Sequence, residues 1–190
     1  FWRTAGYNMD VSAFLAKWMV DIGDAQLADG AFTDIAPSKP LNPYRLTAQP
    51  GAPGWGDAAV IMPWQHYCRY GDRAFLETWY PALQAWMDHI EAANPDGIRR
   101  HAVYNNYGDW LSVGPESDRA VVATAYWAHI ADVMAKIADV LGGVGDAAAY
   151  RALANRVRAA FLNAFVDADG RIAGDTQTAY LLALDFDVLP

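Results

Sequence analysis

Apolar residues recur at helical spacing along nearly the whole chain. Between residues 8 and 28 they follow an i, i+3, i+4, i+7 pattern, which gives a predicted helix one apolar face. The apolar positions on this face are Val11, Phe14, Leu15, Trp18, Met19 and Ile22. No segment alternates with period two over any length, and only the Asp169-Gly170 turn suggests a short hairpin, from 166 to 172. The pattern therefore predicts an all-α fold.

Two more predicted helices follow in the first half of the chain. One lies between Asp57 and Tyr70, with Pro63 near its first turns. The other starts after Asp72, a favourable N-cap, and its apolar stripe runs from 75 to 90. Because a proline inside a helix removes a hydrogen bond and clashes with the preceding turn, Pro81 predicts a break or kink near Tyr80.

Three further helices are predicted in the second half. They carry apolar stripes over 126–141 and 150–165, the latter with Asp146 as the expected cap, and over a stretch that begins at the cap Asp175. The short turn from 142 to 145 predicts that the first two are antiparallel neighbours. The residues expected in the core include Trp18, Trp79, Trp86, Ile137 and Phe161.

Two long segments separate these helices unevenly. Residues 29–56 are rich in proline and glycine, and residues 98–117 form the other long connection. Loops longer than about 12–15 residues in a compact domain are usually functional or disordered, and both segments carry aromatic and acidic residues. Helical hairpins with short turns at one end and long loops at the other are typical of a helical toroid, whose active site lies on the long-loop face.

Composition narrows the function classes. The chain has 190 residues, enough for one domain with a sizeable core, and a net charge of -8. This charge argues against nucleic acid and against an anionic membrane surface as partners. No apolar run approaches the roughly 18 residues of a membrane-spanning helix. The sequence predicts a soluble protein and does not decide between the cytoplasm and secretion.

Metal and cofactor sites have no sequence support. The single cysteine, Cys68, cannot form an internal disulfide or a zinc site alone, and the four histidines lie in four different segments. No glycine-rich nucleotide-binding motif follows a predicted strand. We therefore expect neither a metal nor a cofactor.

The first candidate for chemistry is the segment from Gly54 to Asp57. In one interpretation Asp57 is the N-cap of the next helix and Trp55 folds over the loop. In the other, the Trp55 ring stacks on the face of a sugar while the Asp57 carboxylate binds hydroxyl groups. The two interpretations are compatible and both stay open at this point.

The second candidate is the segment from Tyr107 to Trp110. It again combines glycine, aspartate and tryptophan, here Asp109 and Trp110, and follows two asparagines. Aromatic rings suit the apolar faces of a carbohydrate, and carboxylates and amides suit its hydroxyls, so the two loops predict one aromatic-lined ligand cleft. We expect Trp55, Asp57 and Trp110 to approach a common concave face.

Five motifs in register resemble the bacterial α-L-rhamnosidases, family 78 of the glycoside hydrolases, over essentially the whole chain. The motifs are TAGYNMD at 4–10, GWGDAAVI at 54–61, GDWL at 108–111, TAY at 124–126 and GDTQTAY at 174–180. The resemblance implies an (α/α)6 toroid that hydrolyses terminal, non-reducing α-L-rhamnose with inversion. Its ligand would be a rhamnose-containing glycoside or polysaccharide.

The same resemblance implies that residues 1–190 are a partial six-hairpin catalytic domain, about half of the toroid. The general acid and the general base are expected outside this chain, in the rest of the catalytic domain. The parent chain is also expected to contain β-sandwich domains, if it has any further domains. Trp55, Asp57 and Trp110 match positions that line the rhamnose pocket, and Asp109 is adjacent. Asp57 is the expected supporting carboxylate.

Two alternatives remain at this point. Another inverting toroid enzyme, related to trehalases, glucoamylases or phosphorylases, would share the layout; a phosphorylase needs a basic phosphate site, and the arginines of the two loops are Arg45, Arg99 and Arg100. A non-catalytic helical interaction module would show a fixed period of about 20–50 residues, and the chain shows none.

Overall fold

The computed structural model describes residues 2–37 and 50–189. Within these ranges the chain is helical, and the extended pairing there consists of two isolated antiparallel bridges, Thr33 with Pro50 and Val166 with Ile172. The predicted all-α fold and the short 166–172 hairpin are confirmed. Arg45, one of the three candidate phosphate ligands, lies outside the described residues. The helices are α1 (Trp2–Asn8), α2 (Ser12–Ala25), α3 (Ala58–Tyr70), α4 (Arg73–Ala93), α5 (Arg119–Leu141), α6 (Val144–Phe165) and α7 (Gln177–Asp185).

The N-terminal part contains two helices, whereas the apolar pattern predicts only one, from residue 8 to residue 28. The predicted helix corresponds to α2, and α1 precedes it. The chain turns between α1 and α2, where the Asp10 carboxylate accepts a hydrogen bond of 2.9 Å from the backbone N–H of Ser12. The α2 stripe is buried at Leu15, Met19 and Ile22, but Phe14 on the same stripe is exposed. Trp18, predicted in the core, is only half-buried, and its indole N–H donates to the carbonyl of Ala36.

Helix α4 begins as predicted and continues where a break was expected. The Asp72 carboxylate accepts a 3.0 Å hydrogen bond from the N–H of Phe75, which confirms the N-cap. Pro81 lies inside α4, and the helix runs through it without a break. A proline removes one backbone hydrogen bond, and the buried residues Leu76 and Leu83 on either side hold the two parts of the helix in one core.

Helix α5 starts earlier than its apolar stripe. Asp118 caps it by accepting hydrogen bonds from the N–H groups of Ala120 and Val121, at 2.7 and 3.3 Å. Gly142 ends the helix in the left-handed conformation, as the sequence predicts. α6 follows directly and packs against α5, which is consistent with the predicted antiparallel hairpin.

The expected caps of α6 and α7 are wrong. Gly143 occupies the N-cap position of α6, and Asp146 lies in the first turn, where its carboxylate accepts from the Tyr80 hydroxyl at 3.0 Å. At α7 the cap is Thr176, not Asp175. The Asp175 carboxylate instead accepts a hydrogen bond from a tyrosine of the helix.

The core forms around α5, which packs against α3, α4, α6 and α7. Trp86, Ile137 and Phe161 have no exposed surface, as predicted, and Trp127 of α5 joins them. Trp79, also predicted in the core, is only partly buried. The two long segments precede α3 and α5. They form a separate surface beside the packed helices.

Candidate functional site

The two long loops contact each other directly. Gly51 of the first loop has φ +90°, and a Cβ there would lie 2.1 Å from the carbonyl oxygen of Ala102 in the second loop. Only glycine accepts both this conformation and this approach. The N–H of Gly51 donates to the carbonyl of Phe32 at 2.9 Å, which holds the first loop on itself.

Three rings from these loops form one cluster, which we call the aromatic cluster: Trp55, Tyr107 and Trp110. The rings of Tyr107 and Trp110 are stacked, with centroids 5.0 Å apart and planes 11° apart. The Trp55 ring lies 5.0 Å from Tyr107 and 5.8 Å from Trp110. Trp55 keeps 43% of its surface exposed and Trp110 keeps 58%. The prediction that Trp55 and Trp110 approach a common face is confirmed, whereas Asp57, expected on the same face, is buried and does not reach it.

Asp57 lies beneath this surface and has no exposed area. It occupies the N-cap position of α3, but its side chain makes no capping hydrogen bond to the helix, so the capping interpretation is wrong. Its carboxylate accepts instead from the N–H of Gly54 at 2.7 Å and from the indole N–H of Trp86 at 3.2 Å. Arg99 donates to both of its oxygens, at 3.0 and 2.9 Å.

Asp109 is half-buried next to Trp110 in the sequence. Its carboxylate accepts a 3.2 Å hydrogen bond from the hydroxyl of Ser117, and that hydroxyl lies 2.6 Å from the hydroxyl of Thr176, the cap of α7. The structure therefore connects Asp109 to the end of the second loop and to α7. All four predicted site residues lie on the two contacting loops.

Asp34 is a further acidic residue at the site that the sequence reasoning missed. Its carboxylate accepts hydrogen bonds from the Tyr107 hydroxyl at 2.5 Å and from the Asn105 amide at 3.3 Å. Burial, together with the hydrogen bond and the charge of Asp34, raises the pKa of Tyr107, so this hydroxyl stays protonated and donates. The sequence feature that could have identified Asp34 is its position in the first long loop, which was already noted for its acidic residues.

A cavity of about 500 Å³ opens beside the aromatic cluster. Its lining includes Asp34, Trp55, Gly108 and Tyr126. Burial raises the pKa of Tyr126, and so do the nearby charges of Asp57 and Asp185, so the Tyr126 hydroxyl is protonated and can donate to a ligand. A cavity of this size, with aromatic walls and a few polar groups, is typical of a small-molecule site.

Arg99 and Arg100 do not form a phosphate site. The Arg99 guanidinium is buried against Asp57, and the Arg100 guanidinium forms an ion pair with Asp96 at 2.8 Å. Within residues 2–37 and 50–189, no group of three histidine, cysteine or acidic side chains could hold a metal ion. In the same ranges, no helix has the length and apolar character needed to cross a membrane.

Comparison with known proteins identifies the family. The model of the bacterial α-L-rhamnosidase six-hairpin glycosidase domain matches residues 1–190. An α-L-rhamnosidase of Streptomyces avermitilis is 46% identical over 190 residues, which are all of this chain and 17% of that protein. An α-L-rhamnosidase of Formosa agariphila is 36% identical over 198 residues, again all of this chain and 20% of that protein.

A solved structure agrees with this match. The crystal structure of the Streptomyces avermitilis α-L-rhamnosidase in complex with L-rhamnose superposes with a TM-score of 0.85 and 44% identity, over 95% of this chain and 16% of that one. The all-helical arrangement described above fits an (α/α)6 fold, and the match favours the rhamnosidase resemblance over both alternatives set out from the sequence. The chain belongs to the bacterial α-L-rhamnosidase six-hairpin glycosidase domain family.

Proposed function

We propose that the complete protein removes terminal, non-reducing α-L-rhamnose from rhamnosides, and that residues 1–190 supply a sugar-binding wall of its active site. The observation that carries this proposal is the aromatic cluster. Two of its rings are about half exposed, next to a cavity of about 500 Å³ whose lining includes Asp34. Rings beside carboxylates match the alternation of apolar faces and hydroxyl groups on a sugar.

The relatives support the choice of rhamnose. Proteins named α-L-rhamnosidase match the whole chain, and the Streptomyces avermitilis structure was solved with L-rhamnose. The chain spans 17% and 20% of the two relatives in sequence, so the activity proposed is that of the complete protein. We propose that residues 1–190 belong to a single six-hairpin catalytic domain, completed by the rest of the parent chain and accompanied by any β-sandwich domains there.

The site residues have different roles in this proposal. Trp55 and Trp110 stack on the apolar face of the bound sugar, and Asp109 accepts hydrogen bonds from sugar hydroxyls at the edge of the cleft. Asp57 acts as a supporting carboxylate: with no exposed surface and both oxygens engaged, it fixes the turn that carries Trp55.

We propose an inverting mechanism whose general acid and general base come from outside residues 1–190. Inversion needs one carboxylic acid to protonate the leaving oxygen and a carboxylate about 6.5–9.5 Å away to activate water on the opposite face. The carboxylates described at this site are already engaged by protein donors: Asp57 by Arg99, Asp34 by Tyr107 and Asp109 by Ser117. These groups suit binding and orientation.

The test is hydrolysis of an aryl α-L-rhamnoside by the complete protein, with the matching α-L-fucoside and α-D-mannoside as controls. We expect turnover of the rhamnoside alone, and proton NMR of the fresh product should show the β anomer. The isolated 190-residue chain should be inactive, since each missing acid or base is typically worth about 10²–10⁴-fold. Turnover by the isolated chain would show that its own carboxylates do the chemistry, and an α product would exclude inversion.

A further inference from the structure

We propose that Arg99 is a positioning residue for the sugar-binding wall, which it serves by joining the two long loops through Asp57. This inference rests on the proposed function, because it concerns how the Trp55 ring is held for the sugar. Arg99 lies at the start of the second loop, yet its guanidinium donates hydrogen bonds to the first loop and lies over the α4 tryptophan. Among the described residues, Arg99 is a member neither of the aromatic cluster nor of the cavity lining.

The guanidinium of Arg99 is fully buried and fixed on several sides. One nitrogen, Nη1, donates to both oxygens of Asp57, and the other, Nη2, donates to the carbonyl of Gly51 at 3.3 Å. The guanidinium carbon lies 5.2 Å from the ring centroid of Trp86, which also donates to Asp57. Trp86 thus contacts both members of the ion pair, Arg99 through its ring and Asp57 through its indole N–H.

Arg99 itself is anchored to α5 through its backbone. Its N–H donates to the buried hydroxyl of Thr124 at 3.1 Å. The connection therefore runs from α5 through Arg99 to Asp57, and from Asp57 to the N–H of Gly54, the residue before Trp55. The Trp55 ring is placed against Tyr107 and Trp110 by a turn whose two ends, Gly51 and Asp57, are both held by this one side chain.

The chemistry of the pair favours a geometric role. A buried ion pair often contributes little net stability compared with apolar residues of the same size, because both charges lose their hydration. What arginine offers over lysine is a planar group with several donors in fixed directions. A lysine ammonium can neutralise Asp57, but its compact single nitrogen cannot reproduce the fork that reaches both Asp57 and Gly51.

The test compares Arg99→Lys with Arg100→Met in the complete protein. Arg100 is the adjacent arginine, exposed and paired with Asp96, so its replacement controls for the general effect of changing an arginine next to the site. For Arg99→Lys we expect KM for an aryl α-L-rhamnoside to rise by about tenfold or more, since loosened binding groups weaken substrate binding. A merely structural role would lower the amount of active protein and leave KM unchanged, and that result would overturn the proposal.

A second readout does not depend on rhamnoside hydrolysis. With 5-fluorotryptophan incorporated, the ¹⁹F NMR line of Trp55 is assigned by its loss in Trp55→Phe. This line should shift or broaden in Arg99→Lys and stay in place in Arg100→Met. A shifted line in a protein that does not cleave rhamnosides would refute the proposed function and keep the positioning role, whereas an unmoved line in an active enzyme would refute the positioning role alone.

If Arg99→Lys does not fold, the neutral pair Asp57→Asn/Arg99→Met takes its place, because it leaves no unpaired charge in the core. The same rise in KM and the same change in the Trp55 line are expected. Wild-type KM together with an unmoved Trp55 line in that variant would show that the loops keep their places without the guanidinium.

Discussion

The ring centroids of Trp55 and Tyr107 lie 5.0 Å apart, although the two residues belong to different long loops. Tyr107 is in turn fixed by its hydrogen bond to Asp34, which returns to the first loop. The surface proposed to receive the sugar therefore exists only when both loops are in place. This dependence makes the effects of single substitutions predictable.

Trp110→Ala should weaken substrate binding. The Trp110 ring is stacked on Tyr107 and is more than half exposed, so its removal takes away sugar-stacking surface and leaves the fold intact. An aromatic stacking contact is worth about 0.5–1.5 kcal/mol, which predicts a rise in KM of roughly two- to tenfold for an aryl α-L-rhamnoside. Tyr104→Ala is the control, since Tyr104 is an exposed ring of the same loop. An equal effect of both substitutions would contradict the stacking role.

Asp57→Asn should lower both kcat/KM and stability. The amide keeps the shape of the side chain, but the buried guanidinium of Arg99 loses its counter-ion. Breaking a buried ion pair by removing one partner costs about 3–5 kcal/mol, and we expect the lower end because the amide oxygen still accepts from Gly54. Urea unfolding and rhamnoside kinetics measure the two effects. Asp96→Asn, in the exposed pair with Arg100, should change neither, and unaltered kinetics in Asp57→Asn would remove its supporting role.

Asp118→Ala should destabilise the protein through α5. The carboxylate satisfies two N–H groups at the start of this central helix, and losing such a cap costs about 1 kcal/mol. Chemical denaturation checks the value. Asp169→Ala removes the same charge from an exposed turn and should have no measurable effect on unfolding. Equal effects would show that net charge, and not capping, is responsible.

His66→Phe should flatten the pH dependence of stability. Burial lowers the pKa of His66 below its usual value of about 6.5, and the Asp72 carboxylate, 3.7 Å from Nε2, only partly offsets this effect. As the pH falls, His66 therefore takes up a proton in the unfolded chain before it does so in the folded protein. The contribution of neutral, buried His66 to the free energy of unfolding is complete above about pH 6.5 and is lost below it. Thermal unfolding between about pH 7.5 and pH 5.5 measures the loss.

The matched comparison isolates this histidine. His129, whose pKa burial also lowers, is present in both proteins, so its contribution cancels. The phenyl ring should fit between Tyr70 and Phe75, whose rings lie 4.8 and 4.6 Å from the imidazole. Identical slopes of Tm against pH in wild type and His66→Phe would mean that folding does not lower the pKa of His66.

The helices could be predicted from the sequence because each buries one apolar face on the common core. The stripes of α3, α4 and α6 give the right elements. Phe14 and Trp18 deviate because periodicity shows which residues share a face and not how much of that face is covered. The first turns of α5 did not give a stripe because consecutive residues there, from Val121 to Ala125, are all buried.

The site could be predicted only as far as its local composition allowed. Two loops with glycine, aspartate and tryptophan indicated Trp55 and Trp110, and the structure brings these rings together. Arg99 and Asp34 could not be assigned, because their roles depend on contacts between residues far apart in the sequence. Asp57 preceded a helix and resembled a cap, yet a buried cation competes better for a carboxylate than a helix N–H does.

The close approach of Gly51 to Ala102 has a consequence for engineering. Surface loops usually accept grafts and insertions one at a time. Here the backbone of one loop touches the backbone of the other, with no room for a single added methyl group. A specificity swap that imports only the tryptophan-bearing turn from a relative would meet a foreign neighbour at this point. Such transplants should succeed only when both segments are taken from the same donor enzyme.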